Sequence, residues 1–527
     1  MSEAITLKAP TEGTLNDLGN YLTDGFWEDI GFSRHSFNTS GSNVISVNLT
    51  GLTAAGQQLA RWAFEAWELV ANIDFQETGS SSADMRFQDH DSGAYSSSHG
   101  ISGGNTGYSI VNVSTSWINY YGTSIDSYSL QTYIHEIGHA LGLGHQGNYN
   151  GSATYGTDNT FANDSWQRSV MSYFSQTENT QTDASFGWIL GPMMADIVAI
   201  QELYGAADGS SETAGNTIWG AHSNLGGALG SYFDSLTGPS SHYNGSDVAF
   251  TIYDQGGVDT VDLSPLTTAN RIDMRDGYFS DVAGLIGNVG IARGTVLENL
   301  IAGAGNDTVV GNEVGNHIVL GGGYDLVMGG SGNDTLLGGS GNDTLAGEGD
   351  ADRLYGGDGF DRLFGGSGND TLVGAAGNDT LAGDGDDDRL FGGDGLDRLF
   401  GGSGNDTMAG DGDADVLNGQ DGNDRLFGGS GFDQLEGQDG ADILTGGTEA
   451  DVFVFTDGTW ADRVTDFNTV EADRINFAGV TTLSSFADVT AAATDTAAGL
   501  MIETGNGGSV LLENVLLTDL DANDFIF

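Results

Sequence analysis

The residues able to do chemistry are concentrated between Tyr133 and Tyr149, in Tyr-Ile-His-Glu-Ile-Gly-His-Ala-Leu-Gly-Leu-Gly-His-Gln-Gly-Asn-Tyr. His135 and His139 are four residues apart, so on a helix they stand one above the other on a single face. Two imidazoles so placed can bind one zinc ion. Glu136 lies to the side of that pair, where it can take a proton from water held by the metal. A straight helix cannot supply the third ligand at the right angle. Gly142 tolerates the left-handed conformation that ends a helix, and a chain turning back there brings His145 to the metal. Three neutral histidines leave a fourth position for water, the pattern of catalytic rather than structural zinc. A bare His-Glu-x-x-His also occurs on ordinary helices. A buried structural helix does not account for Gly142 and His145 as well.

These side chains need a helix and a scaffold behind it. Asp126 and Ser127 are both good caps, so the helix is expected to start near one of them. Leu59, Trp62, Ala63, Ala66, Trp67 and Val70 follow the three-and-four spacing of a core helix, with Thr53 as N-cap. Strands are expected at 72–75, 84–87, 94–98 and 108–113, which suggests a mixed sheet with helices packed against it. The stretch from His145 to Met171 is polar and reads as loop. A further helix is expected over 192–204, with Pro192 in its first turn and Gly205 at its end. Residues 1 to about 50 carry no assigned element. Strands are also expected at 250–254 and 260–263. His90, between Asp89 and Asp91, reads as solvated loop, and His35, His99, His222, His242 and His317 have no partners at ligand spacing.

The second half is periodic. Asp325, Asp334, Asp343, Asp352, Asp361, Asp370, Asp379, Asp388, Asp397, Asp406, Asp415, Asp424, Asp433 and Asp442 recur every nine residues, bracketed by Asp307 and Asn316 before and Asp451 after. Two residues beyond each Asp stands an apolar residue, such as Leu336 or Leu345. Each unit therefore reads as a glycine turn, an acid and a three-residue strand. One unit cannot bury its leucine alone, so units are expected to stack into a parallel β-helix with a continuous leucine core. Stacked turns bring carboxylates and turn carbonyls together, hard oxygen ligands suited to calcium. Without a cation the carboxylates repel, so folding of this region is expected to require calcium. Asp350, Asp386 and Asp413 replace the second turn glycine, which Asp tolerates better than most residues.

The chain carries 15 Lys+Arg against 74 Asp+Glu, a formal charge of −59, which disfavours nucleic acid and anionic membrane surfaces as partners. Its 86 glycines follow no Gly-X-Y period, which excludes collagen. The absence of cysteine excludes disulfides and thiolate ligands, and fits a cytosolic or an extracellular home equally. The amino terminus has neither a basic start nor an apolar run, so it is not a cleavable signal, and no apolar run is long enough to span a bilayer. The last residues, Asp524-Phe525-Ile526-Phe527, could be a terminal strand or an export signal.

From about Leu52 to the end, the chain resembles the serralysin family of secreted bacterial zinc proteases, in the metzincin clan, with RTX nonapeptide repeats. The resemblance rests on the His135–His145 motif, Ser169-Val170-Met171-Ser172-Tyr173, Ile200-Gln201-x-x-Tyr204-Gly205 and the repeats. It implies an α+β metzincin catalytic domain followed by an all-β parallel β-roll, the calcium-binding RTX solenoid. It implies one catalytic zinc ion on His135, His139 and His145, with Glu136 as general base and Met171 in a Met-turn beneath the metal. Tyr173 would coordinate zinc at rest and swing away to support the transition state. Several structural calcium ions would sit at the repeat Asp residues. The substrate would lie along an edge strand near 94–98. Synthesis as a zymogen, and one-step export by a type I (ABC) secretion system that reads an uncleaved carboxyl-terminal signal, are implied as well.

The expected organisation is a propeptide or amino-terminal segment over 1–25, a catalytic domain over 26–206, a transitional β region over 207–300, the β-roll over 301–455, and a carboxyl-terminal β region with the secretion signal over 456–527. The expected activity is a secreted, monomeric zinc endopeptidase acting on extracellular proteins and peptides. The repeats alone would equally suit a non-enzymatic calcium-binding surface protein. The intact Glu136 and three histidines speak against that reading.

Overall fold

The computed structural model describes residues 10–458, 460–505 and 507–527. Residues 1–9 of the 1–25 segment expected as a propeptide lie outside the described residues. The chain divides into two compact units, one ending at Leu297 and one running from Glu298 to Phe527.

The first unit is built on a five-stranded sheet. Strands Val44–Gly51, Asp74–Glu77, Met85–Gln88 and Tyr108–Val113 run parallel, and Ala94–His99 closes one edge antiparallel to Tyr108–Val113. The sheet is mixed, as the alternation of strand and helix signals suggested. Two helices lie at its heart. Ala54–Glu68 is capped by Thr53, whose hydroxyl accepts from the Gly56 N–H at 3.3 Å. Its apolar stripe buries Leu59, Ala63 and Trp67 completely. Trp67 Nε1 donates to the Ile134 carbonyl of the second helix, Tyr128–Leu141, at 3.1 Å, so the two helices are bonded as well as packed.

Two expectations need correction here. Pro192 lies just outside its helix, which runs Met194–Tyr204 and starts where the Asp196 carboxylate accepts from the Met193 N–H. Residues 15–29, which were given no element, are helical. Leu15–Asn20, Tyr21–Gly25 and Phe26–Asp29 form one continuous helical run, opened by a reciprocal capping box between Thr14 and Asp17.

The second unit is a parallel β-solenoid. Each coil uses two nonapeptides, so residue i pairs with i + 18, as in Leu336↔Leu354 and Leu345↔Leu363. Leucines 336 to 444 of the repeat, with Met408 among them, are fully buried in the expected continuous core. The strands are longer than the three residues expected, typically six as in Thr335–Ser340, because the backbone ladder runs on through the glycines, as in Gly339↔Gly357. Asp350, Asp386 and Asp413 adopt φ of 72°, 73° and 67°, the left-handed geometry assigned to them. Beyond Asp451 the nine-residue period ends but the coil does not. Val452 pairs with Arg474 and Ile475 with Phe525 across longer loops. Phe525–Ile526 is a terminal strand.

Candidate metal centre

The Tyr128–Leu141 helix is capped by Ser127, and Asp126 instead accepts from the N–H groups of Asn244 and Ser246. The helix ends at Gly142 with φ 113° and ψ 5°, the left-handed stop read from the sequence. Only glycine fits there, since a β-carbon would collide with the His35 carbonyl. The reversal carries His145 back over the helix.

The structure brings His135, His139 and His145 together, with one nitrogen of each within 4.8 Å of the others, the only such cluster of three among the described residues. Backbone carbonyls fix which nitrogen faces inward. Nδ1 of His135 bonds to the Val170 carbonyl, that of His139 to Leu143 and that of His145 to Tyr149, each at 2.8 Å. A carbonyl can only accept, so Nδ1 carries the proton and each Nε2 lone pair is free for a metal. His139 Nε2 and His145 Nε2 lie 2.9 Å apart with no proton of their own to share, which a common cation between them resolves. Burial also keeps the rings neutral, holding His135 down to about 4 and His139 to about 3, with His145 well below its ordinary value. Three neutral, preoriented nitrogen donors fit a zinc ion.

Glu136 is buried beside them, and burial pushes its carboxyl up to about 8 against the pull of the Ser96 N–H. A divalent cation on the neighbouring histidines acts in the opposite direction. Glu136, His139, His145 and Tyr173 line a cavity of about 280 Å³ whose far wall is the edge strand at Ala94, Tyr95, Ser96 and Ser98. A larger cavity, of about 540 Å³, lies elsewhere in this unit, among Trp62, Glu65, Glu68 and Glu212, and contains none of the histidines. The Tyr173 ring stands 4.4 Å from that of His145, and its hydroxyl accepts from the Gly151 N–H at 3.3 Å.

Met171 is fully buried beneath the helix. Gly138 admits it, because a β-carbon there would lie 2.6 Å from Met171 Sδ and 3.1 Å from Trp67 Cζ2. Gly138→Ala therefore forces the Met-turn away from the helix. The expected result is a loss of about 1–3 kcal/mol of stability, with weaker zinc retention. Thermal melting and zinc analysis after dialysis check it, and an unchanged melt with full zinc would show that Met171 is not packed there.

Sequence reasoning missed the residues that hold this machinery. Asp196 accepts from Ser169 Oγ at 2.5 Å and from the Val170 N–H at 2.7 Å, so it fixes the peptide whose carbonyl orients His135. Its signal was an acid in the first turn of an otherwise apolar helix, Met-Met-Ala-Asp-Ile-Val-Ala. Tyr149 donates to the buried Asp164, at 3.0 Å to Oδ2, while its own carbonyl orients His145. Nothing in the loop sequence marks Asp164.

In the roll, each repeat Asp from Asp325 to Asp451 accepts on Oδ1 the N–H of the residue one coil earlier, Asn316 for Asp334 and an Asp for the others, at 2.8 Å for Asp352, Asp361 and Asp370. The other oxygen, Oδ2, is buried without a partner in every repeat from Asp325 to Asp451. It points into the space a glycine leaves. A β-carbon on Gly338 would lie 2.5 Å from Asp343 Oδ2 and 2.6 Å from the Gly356 carbonyl oxygen. Orphaned carboxylate oxygens beside glycine carbonyls are a hard-oxygen donor set that fits calcium.

A family profile described as the serralysin C-terminal region of peptidase M10 matches residues 210–503. Among curated proteins, the chain is 36% identical over 302 residues to metallopeptidase AprA of Pseudomonas marginalis, covering 54% of this chain and 61% of that protein. It is 33% identical over 339 residues to serralysin B of Dickeya chrysanthemi, covering 56% and 66%. It is 37% identical over 345 residues to serralysin C of the same organism, covering 58% and 66%. The chain thus spans between three fifths and two thirds of the length of these relatives.

Proposed function

The chain belongs to the serralysin C-terminal family of peptidase M10, and on that premise we propose that it is a secreted zinc endopeptidase with His135, His139 and His145 as ligands and Glu136 as general base. The observation that carries this reading is the convergence of three Nε2 lone pairs, each with its Nδ1 proton already committed to a backbone carbonyl, beside a cleft that His139 and His145 line. When bound there, zinc supplies Lewis acidity toward a carbonyl and lowers the pKa of water.

The chain's own residues do the rest. Among the described residues the edge strand Ala94–His99 pairs with one strand only, Tyr108–Val113, so its other side can take an extended peptide as a further strand. Glu136 takes a proton from the attacking water and hands it to the leaving amine, so one carboxylate is base and then acid. Tyr173 swings from its Gly151 contact to donate to the oxyanion that develops on the scissile carbonyl. Met171 provides an apolar floor.

Several ions of calcium neutralise the repeat Asp residues from Asp325 to Asp442 and so stabilise the roll. Synthesis as a zymogen, export through the type I machinery by the carboxyl-terminal segment, and action as a monomer on extracellular proteins complete the reading. The names of the AprA and serralysin relatives support its peptidase part.

Metal analysis of the purified protein tests the core of it. One zinc ion per chain is expected. Casein hydrolysis should vanish when zinc is removed at constant calcium and return on adding zinc back. Hydrolysis that survives complete zinc removal would sink the assignment and leave a calcium-binding solenoid.

A further inference from the structure

We infer that one face of the roll is a binding platform for a linear anionic polysaccharide. Tyr355, Phe391 and Phe427 occupy equivalent outward positions on every second strand of one sheet, with Val373 and Ala409 in register between them. Tyr355 and Phe427 are 38% and 39% exposed, far more than a packed aromatic. Two residues before each ring on the same strand stands Arg353, Arg389 or Arg425, and these arginines alternate in register with Thr371 and Thr407. All three are exposed, and among the described residues none has a carboxylate within ion-pair distance.

The pattern is unexpected on this chain. Acids outnumber basic residues by 74 to 15, so a solvated arginine should find a carboxylate nearby. Yet the outward positions of the strands from Thr335–Ser340 to Arg425–Ser430 of this sheet carry none before the glycine turn. Acids such as Asp358 and Asp394 return only at the turns, where cations are expected. Asp352, Asp388 and Asp424 directly precede the arginines but are buried. At physiological ionic strength the Debye length is about 8 Å, so a ligand held flat on the face is governed by the arginines beneath it more than by the acids of the turns.

Period selects the ligand. Neighbouring strands are about 4.8 Å apart, so ring and guanidinium repeat together about every 9.6 Å along the sheet. That stride is comparable to a disaccharide. The small residues between the rings leave shallow notches, and the apolar face of a pyranose ring can lie on each aromatic. One positive charge per stride matches a polymer with one carboxylate per disaccharide. It does not match nucleic acid, whose strands carry a phosphate about every 3.4 Å. The opposite sheet repeats the device more briefly, with Arg362 beside Phe364 and Arg398 beside Phe400.

The test is affinity electrophoresis of the full-length, calcium-loaded protein through gels containing hyaluronan, which carries one carboxylate per disaccharide. Retardation that weakens with salt is expected. The triple variant Arg353→Thr, Arg389→Thr, Arg425→Thr copies the residues of the intervening strands, so the coil is kept, and its affinity should fall by on the order of tenfold. Tyr355→Val, Phe391→Val, Phe427→Ala should fall similarly. Casein hydrolysis should be unchanged in both, which separates this site from the proposed peptidase. Circular dichroism of both variants confirms that the roll is intact. No retardation of the parent protein, equal retardation of the arginine variant, or equal retention by a gel containing single-stranded DNA would each overturn the proposal. So would a shift from dimer to monomer in the variants by sedimentation, since the face would then bind a second copy of the chain.

Discussion

Glu136→Gln is expected to abolish casein hydrolysis almost completely, with zinc still bound at one ion per chain. The amide keeps the size of the carboxylate, and the three ligand rings and their carbonyl partners at Val170, Leu143 and Tyr149 are untouched. What disappears is, among the described residues, the one acid that lines the cleft with the proposed ligands and can accept a proton there. General base catalysis contributes typically 10²–10⁴-fold, and here the same group must also return the proton to the leaving amine, so a loss on the order of 10³-fold or more is expected in kcat. KM should change little, because the edge strand proposed to take the peptide is intact. Tyr173→Phe should cost less, about 10²-fold, as it removes one oxyanion donor and leaves proton transfer in place. Steady-state kinetics with zinc analysis on the same preparations check both. A zinc-loaded Glu136→Gln protein with full activity would refute the base assignment.

Removing calcium is expected to destabilise the roll, and to do so more as pH rises. Repeat carboxylates one coil apart are separated by a strand spacing of about 4.8 Å, where two full charges repel by about 3 kcal/mol at an effective dielectric near 20. A column of such pairs exceeds the whole stability of an ordinary domain, about 5–15 kcal/mol, so protons or cations must neutralise it. Burial, reinforced by the neighbouring charges, therefore pushes Asp352, Asp379 and Asp424 up to about 7 and Asp388 and Asp415 to about 8. The sign follows from those values. An unfolded Asp titrates near 3.9, so between about pH 4 and pH 8 the metal-free folded roll holds more protons than the unfolded chain. Its stability is then fully present below pH 4 and lost as pH rises through 6 to 8. Calcium reverses the slope, since it binds the deprotonated form. Melting followed by circular dichroism in chelator should give a higher Tm at pH 5 than at pH 8, and calcium at pH 8 should recover it. Equal Tm values at the two pH values in chelator, or no response to calcium at pH 8, would contradict the carboxylate columns.

Periodicity carries most of what the order of residues specifies. The nine-residue recurrence of Asp and Leu specifies the solenoid because one unit has a single residue to bury and can do so only by stacking. The spacing of His135, His139, Gly142 and His145 specifies a metal site because a helix fixes where residues four apart must point, and glycine marks where the helix must stop. Both are local rules, applied along a few turns of chain. The amino-terminal helix obeyed them as well. Leu15, Leu18, Leu22 and Phe26 carry the spacing and Thr14 with Asp17 the cap, a signal only about three turns long.

Tertiary structure alone decided what joins distant segments. That Asp196 holds Val170, that Asp164 holds Tyr149, and that these two peptides aim His135 and His145 depends on contacts across loops whose course no local rule predicts. The same holds for the outer face of the roll. Sequence gives an arginine here and an aromatic two residues on. Only the pairing of residue i with i + 18 shows that they line up on alternate strands of one sheet, because register is set by the coil's closure and not by any single repeat.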